Sequence, residues 1–113
     1  MKIAIPVWGN RISPVFETAE HLLLVDLDDG VELKREIRKL DAGLPVQRVK
    51  LLEDTGVQLL ACGAITREVE TSFDSNKIKI IPFLCGNVEQ LIAALSKGDN
   101  IRAMFGMPGR HDI

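Results

Sequence analysis

The sequence predicts a single α/β domain, three-layer α/β/α, in which helices pack on both faces of a mixed five-stranded sheet. Three observations predict it. Residues 21–38 read as two strands around an Asp-Gly turn, residues 57–97 alternate strand and helix, and 113 residues suffice for one core but not two. The alternation demands right-handed crossovers and parallel neighbours, while the hairpin adds an antiparallel member. If the first strand pairs with both the hairpin and the fourth strand, it lies where the winding changes direction. In open α/β sheets ligands bind outside the carboxyl ends of the strands at that switch.

Each element has a local warrant. KIAIPV at 2–7 is short, rich in β-branched residues and bounded by Trp8-Gly9-Asn10, as a buried strand ending in a loop should be. Pro6 restricts it, because proline cannot donate to a ladder. HLLLVDL at 21–27 and VELKREIR at 31–38 flank Asp28-Asp29-Gly30, the clearest hairpin signal in the chain. The second arm alternates Val31, Leu33, Arg35 and Ile37 with Glu32, Lys34, Glu36 and Arg38, the pattern of a strand near a sheet edge. Its charges are expected to discourage edge-to-edge pairing. Pro45 suits a first helical turn, Val46, Val49 and Leu52 recur at helical spacing, and Thr55-Gly56 stops the run. A strand over 57–61 follows, then a helix with Ile65, Val69 and Phe73 on one face. IKIIPF at 78–83 is the fifth strand. Asn87 with Gln90 resembles a capping box before Val88, Leu91, Ile92 and Leu95, and Gly98 can end this last helix. The domain therefore spans 1–98, with 99–113 expected as a flexible tail.

Composition excludes several classes. Charged residues make up 27% and hydrophobic ones 46%, ordinary for a globular protein and unlike a disordered chain. The net charge of −2 comes with scattered Lys and Arg, so no basic stripe exists to neutralise a phosphate backbone, and no nucleic-acid partner is expected. No stretch approaches the ~18 apolar residues of a membrane span, and the N-terminus holds no secretory apolar run. A cytoplasmic protein without a membrane partner is expected. The two cysteines then read as thiols, ligands or redox partners rather than a structural staple.

MKIAIPV, followed by Ser13-Pro14-Val15-Phe16 and a second apolar strand, resembles the dinitrogenase iron-molybdenum cofactor biosynthesis family. LLACGAI at 59–65, with a cysteine ending the fourth strand, is similar to a Cys-x-x-Ile segment common there. The resemblance covers roughly residues 1 to 96, through short and partly structural motifs. It implies a ribonuclease H-like fold. It also implies a link to nitrogen fixation, since members related to nitrogenase assembly bind or carry iron-sulfur precursors of the cofactor. The chain departs from the pattern where Glu17-Thr18-Ala19 follows Phe16 and where Thr66 follows Ile65. It ends in MFGMPGRHDI rather than a long Gly- and His-rich tail.

Cys62 is expected at the carboxyl end of the fourth strand, beside a helix N-terminus that favours a thiolate, and Cys85 just past the fifth. If those strands are neighbours, both sulfurs project near one rim, and thiolates suit iron-sulfur clusters, zinc or copper(I). Small buried cysteines are also common at strand ends, and two thiols do not complete a four-ligand shell. A second subunit, His21, His111 or a small molecule would supply the remainder; in a homodimer two such sites would make a four-thiolate shell. Trp8, Arg11 and Ser13 leave the first strand at the same rim, where an indole and a guanidinium suit an anionic cluster. Met104, Met107 and His111 place soft and imidazole ligands in the tail, although such a terminal segment is commonly free.

Ribonuclease H-type nucleases need acidic residues around two metal ions, one of them in the first strand, and KIAIPV contains none. No phosphate loop, nucleophile elbow or metal-binding His pair appears. The expectation is a non-catalytic carrier of an iron-sulfur or iron-molybdenum-type cluster or its precursor, transiently bound at Cys62 and Cys85 and passed to a protein partner in cofactor assembly. A thiol redox or persulfide module, or a protein-interaction domain without metal, remains the alternative.

Overall fold

The computed structural model describes residues 1–41 and 43–108. Its strands are β1 (Lys2–Trp8), β2 (Arg11–Ile12), β3 (His21–Asp28), β4 (Val31–Lys39), β5 (Leu59–Ala61) and β6 (Lys79–Ile81). Its helices are α1 (Pro45–Asp54), α2 (Arg67–Ser72), α3 (Val88–Lys97) and α4 (Ile101–Phe105). The sheet runs β4-β3-β1-β5-β6, with β2 folded back on the end of β1. β1 pairs antiparallel with β3, Ala4 opposite Leu24, and parallel with β5, Ala4 beside Leu60. β1 is thus the strand where the winding reverses, in a ribonuclease H-like arrangement of three layers.

The alternation along β1 explains those layers. Ile3, Ile5 and Val7 join Leu23 and Val25 against Val88, Leu91 and Ile92 of α3, while Ala4 joins Leu22, Leu24 and Leu60 against Val49 and Leu52 of α1. Burying each such aliphatic side chain contributes about 1.5–3 kcal/mol relative to exposure. α3 starts as its sequence signals, with the Asn87 side chain accepting from the Gln90 amide at 3.0 Å, and ends at Gly98 in the left-handed conformation.

Several details differ from expectation. Val46 is exposed, and the buried stripe of α1 is Arg48, Val49 and Leu52. Arg48 earns its place by tying the helix to the turn before β3: its Nη1 donates to the carbonyls of Phe16 at 3.0 Å and Ala19 at 2.6 Å. Burial pushes its pKa down. Ile65 and Phe73 flank α2 rather than lie inside it, because Thr66 caps the helix and Phe73 has already turned extended.

The largest difference concerns the tail. The expectation of a free segment from residue 99 does not hold for 101–107: Ile101 and Phe105 are buried against α3, and Gly106 pairs with Leu84. Asn100 caps α4 by accepting from the Ala103 amide at 3.2 Å. Its five residues are too few to show a helical repeat in the sequence. Arg110 and His111 lie outside the described residues. No helix among the described residues is long and apolar enough to cross a membrane.

Candidate functional site

β1, β5 and β6 are parallel, so their carboxyl ends share one rim. Three loops leave it, over 9–15, 62–66 and 82–87, and backbone hydrogen bonds tie them together. The Ile12 amide donates to Gly86 O and the Val88 amide to Asn10 O, each at 2.9 Å. The Ala64 amide donates to Pro14 O at 2.8 Å and the Phe16 amide to Ala64 O at 2.9 Å. The Phe83 amide donates to Gly63 O at 2.8 Å. The chain beyond α4 joins as well, the Cys85 amide donating to Phe105 O and the Met107 amide to Phe83 O, both at 2.8 Å.

Trp8 ends β1 with 71% of its surface exposed, directly opposite the exposed Arg11 in the β1–β2 pair. Arg11 has no ion-pair partner among the described residues. Ser13 is buried, its hydroxyl donating to Val15 O at 3.5 Å. Trp8 and Ser13 line one hollow of about 300 Å³ together with Val7, Pro14, Thr18, Ala19 and Glu20. His21 is exposed at the same end of the sheet, opposite Val7. Neither cysteine lines this hollow.

The two cysteines lie on bonded segments, the Leu84 amide donating to Cys62 O at 3.0 Å, but differ in exposure. Cys62 is fully enclosed among Ala4, Phe16, Leu60 and Ile65, in the layer under α1 and α2. Burial, then the charges of Glu17 and Glu70, push its thiol up to about 12, the opposite of an activated thiolate. At the neighbouring helix N-terminus two amides are already engaged, that of Thr66 by Glu17 Oε1 at 2.8 Å and that of Val69 by Thr66 Oγ1 at 3.3 Å. Cys62 as primary ligand is thus corrected to a core residue. Cys85 is half-exposed and a free thiol, tied through its amide to Phe105 of the other core layer. Among the described residues no group of three or more His, Cys, Asp or Glu side chains is placed to hold a metal ion.

Two rim features escape a reading of residue types. Each cysteine precedes a glycine, and each glycine has a steric reason. A Cβ at Gly63 would press into the carbonyls of Ser13 and Pro14, the latter at 2.5 Å, and Gly86 has φ +130°. Phe83 is held at φ +62°, a left-handed conformation that costs a non-glycine residue on the order of 1 kcal/mol and concentrates at functional loops. The Cys-Gly repetition, 62–63 and 85–86, was the available signal for the first. Nothing in the sequence marks the second.

Comparison with known proteins bears on the family and the fold. The profile of the family described as dinitrogenase iron-molybdenum cofactor matches residues 1–98. The solved structure of PH0822 superposes with a TM-score of 0.83 at 18% identity, covering 96% of each chain. A Methanocaldococcus jannaschii protein described provisionally as a dinitrogenase gives 0.70 at 24% identity, over 88% of this chain and 90% of that one. The apo form of the orange protein from Desulfovibrio gigas gives 0.70 at 19%, over 99% and 96%. At these identities the superpositions show a shared fold. No curated protein matched by sequence.

Proposed function

The chain belongs to the dinitrogenase iron-molybdenum cofactor family, and from that premise we propose that it is a non-catalytic cytoplasmic carrier. Its cargo is an iron-sulfur or iron-molybdenum-type cluster, or a precursor, held at the carboxyl rim and passed to a protein partner in cofactor assembly. The observation that carries the reading is the rim itself: three loops and the segment after α4 bonded into one surface at the switch strand. On it lie an exposed Trp8, an Arg11 without an ion-pair partner among the described residues, and the half-exposed Cys85.

The donor set favours cargo over a resident cofactor. With Cys62 enclosed, Cys85 is the one rim cysteine offered, short of the four ligands of a stable iron-sulfur site. A cluster that keeps its own sulfide ligands needs less: one soft ligand, a guanidinium against its negative charge and an apolar face. Cys85, Arg11 and Trp8 supply these, and Ser13 shapes the adjoining hollow. Release to a partner then breaks few bonds. A two-cysteine redox cycle is disfavoured by the burial of Cys62, which leaves a persulfide on Cys85 or a metal-free interaction role as the alternative.

Anaerobic incubation with iron and sulfide, followed by visible absorption and bound iron, tests the reading. Cys85→Ser is expected to lower bound iron about tenfold, and Cys62→Ala to leave it near wild type. Equal loading of wild type and Cys85→Ser would overturn the carrier role for this thiol.

A further inference from the structure

The two edges of the sheet are unlike. β6 offers three residues, whereas β4 runs for nine with no strand on its outer side among the described residues. Long bare edges template pairing with another chain. β4 also carries exposed apolar side chains, Val31, Leu33 and Ile37, each about 60% exposed. A register shift against β3 sets Leu33 apart, and from Lys34 to Lys39 the ladder is regular.

Along that regular stretch one face reads Lys34, Glu36, Arg38, opposite Asp26, Leu24 and Leu22 of β3. Charges of one sign would repel a second copy; this alternation does not. Within each copy Arg38 Nε already donates to Glu36 Oε1 at 2.6 Å. When two β4 strands run antiparallel with Ile37 opposite Ile37, Glu36 of each copy also falls opposite Arg38 of the other, so the two intrachain pairs join into one cluster of four alternating charges. The same register sets Lys39 opposite Arg35, whose charge is already answered by two carboxylates: Nη2 lies 2.7 Å from Glu32 Oε1 and Nη1 2.7 Å from Glu89 Oε2. Centring on Glu36 instead would set carboxylate against carboxylate and Lys34 against Arg38; centring on Arg35 would pair Lys34 with Glu36 but would set Ile37 opposite Leu33, where the register shift interrupts the regular strand.

We propose that β4 is a homodimer interface, joining the sheets of two copies edge to edge, antiparallel about Ile37. The occupant is a second copy because the edge is complementary to itself: cross-strand pairs of opposite charge and of apolar residues are the units that stabilise a ladder. The inference is independent of the cluster reading, since none of its residues lines the rim hollow.

Sedimentation equilibrium of the full chain, from micromolar to millimolar, with charge exchange at two exposed positions, tests it. Glu36→Arg and Arg38→Glu are each expected to weaken dimerisation about tenfold or more, since each turns two symmetry-related attractions into repulsions. The double exchange E36R/R38E is expected to restore it to within about threefold. Ile37→Lys is expected to give a monomer, and unchanged far-UV dichroism with a cooperative thermal transition at a concentration where the wild type is also monomeric shows that each variant folds. A wild type monomeric at millimolar concentration, a dimer indifferent to these substitutions, or a double exchange no tighter than the single variants would each overturn the proposal.

Discussion

Replacing Gly63 by alanine adds one methyl group at the tightest contact of the rim. Its Cβ would stand 2.5 Å from Pro14 O, with Ser13 O equally in its way. An ordinary carbon–oxygen contact is about 3.3 Å, so the 9–15 loop must retreat by about 0.8 Å. Both obstacles are backbone, and no side chain can rotate aside. The loop is held to residue 64 by two bonds, Ala64 N to Pro14 O at 2.8 Å and Phe16 N to Ala64 O at 2.9 Å. Stretching them by that amount leaves about 3.6–3.7 Å, beyond a hydrogen bond. Two lost backbone bonds cost about 1–3 kcal/mol together, with overpacking strain of similar size if the loop resists. The expected loss is about 2–4 kcal/mol, a fall in Tm of roughly 8–20 °C for a domain of this size. Thermal and urea unfolding give the total, and hydrogen exchange at the amides of Ala64 and Phe16 shows whether those two bonds fail first. A Tm within about 2 °C of wild type, with both amides still protected, would refute the account of why glycine follows Cys62.

The remaining predictions probe other layers. The thiol of Cys62 has a folded pKa of about 12 against 9.0 unperturbed, so the unfolded chain loses its proton first. Stability is therefore complete below the unfolded pKa and declines as pH rises towards 12, by up to about 4 kcal/mol, and Cys62→Ala should flatten that alkaline limb in pH-dependent urea unfolding. In thiol titration at pH 8, Cys85 should react in the native protein and Cys62 only after denaturant is added. Phe105→Ala should cost about 3–5 kcal/mol in urea unfolding, as a core position does; a loss below about 1 kcal/mol would return α4 to the status of an appendage. Hydrogen bonds from Arg35 hold the carboxyls of Glu32 and Glu89 below the ordinary range, so their contribution is present at neutral pH and fades as the solution is acidified through those lowered values. Because the group is well exposed, Arg35→Ala should cost no more than about 1 kcal/mol, and less in high salt.

Much of this fold was legible because its signals are local. The Asp-Gly turn between two alternating arms fixes the β3–β4 hairpin, and Asn87 with Gln90 and Gly98 brackets α3 on both sides. What was not legible depends on where the chain goes rather than on what it contains. Ile101 and Phe105 read as tail residues because only the packing of α4 on α3 makes them core. Val46 and Arg48 exchanged roles because a hydropathy pattern cannot foresee two carbonyls, of Phe16 and Ala19, waiting for a guanidinium. The two cysteines were correctly placed at adjacent strand ends. Their difference in exposure followed from a property invisible in spacing: Cys62 faces the layer of α1 and α2, while the Cys85 loop is bonded to α4 on the other side.

The bonds that assemble the rim also set an order of events during synthesis. The β3–β4 hairpin is contiguous in the chain and can form as soon as it emerges, in microseconds. Pairing β1 with β5 must wait for the chain to close a loop from Ile3 to Leu59, and the 82–87 loop gains its last support only when Phe105 and Met107 arrive. A ribosome-bound chain therefore displays a finished hairpin long before it displays a rim. Until Phe105 and Met107 have emerged the 82–87 loop lacks its last two backbone bonds, so the rim is the last part of this fold to be completed.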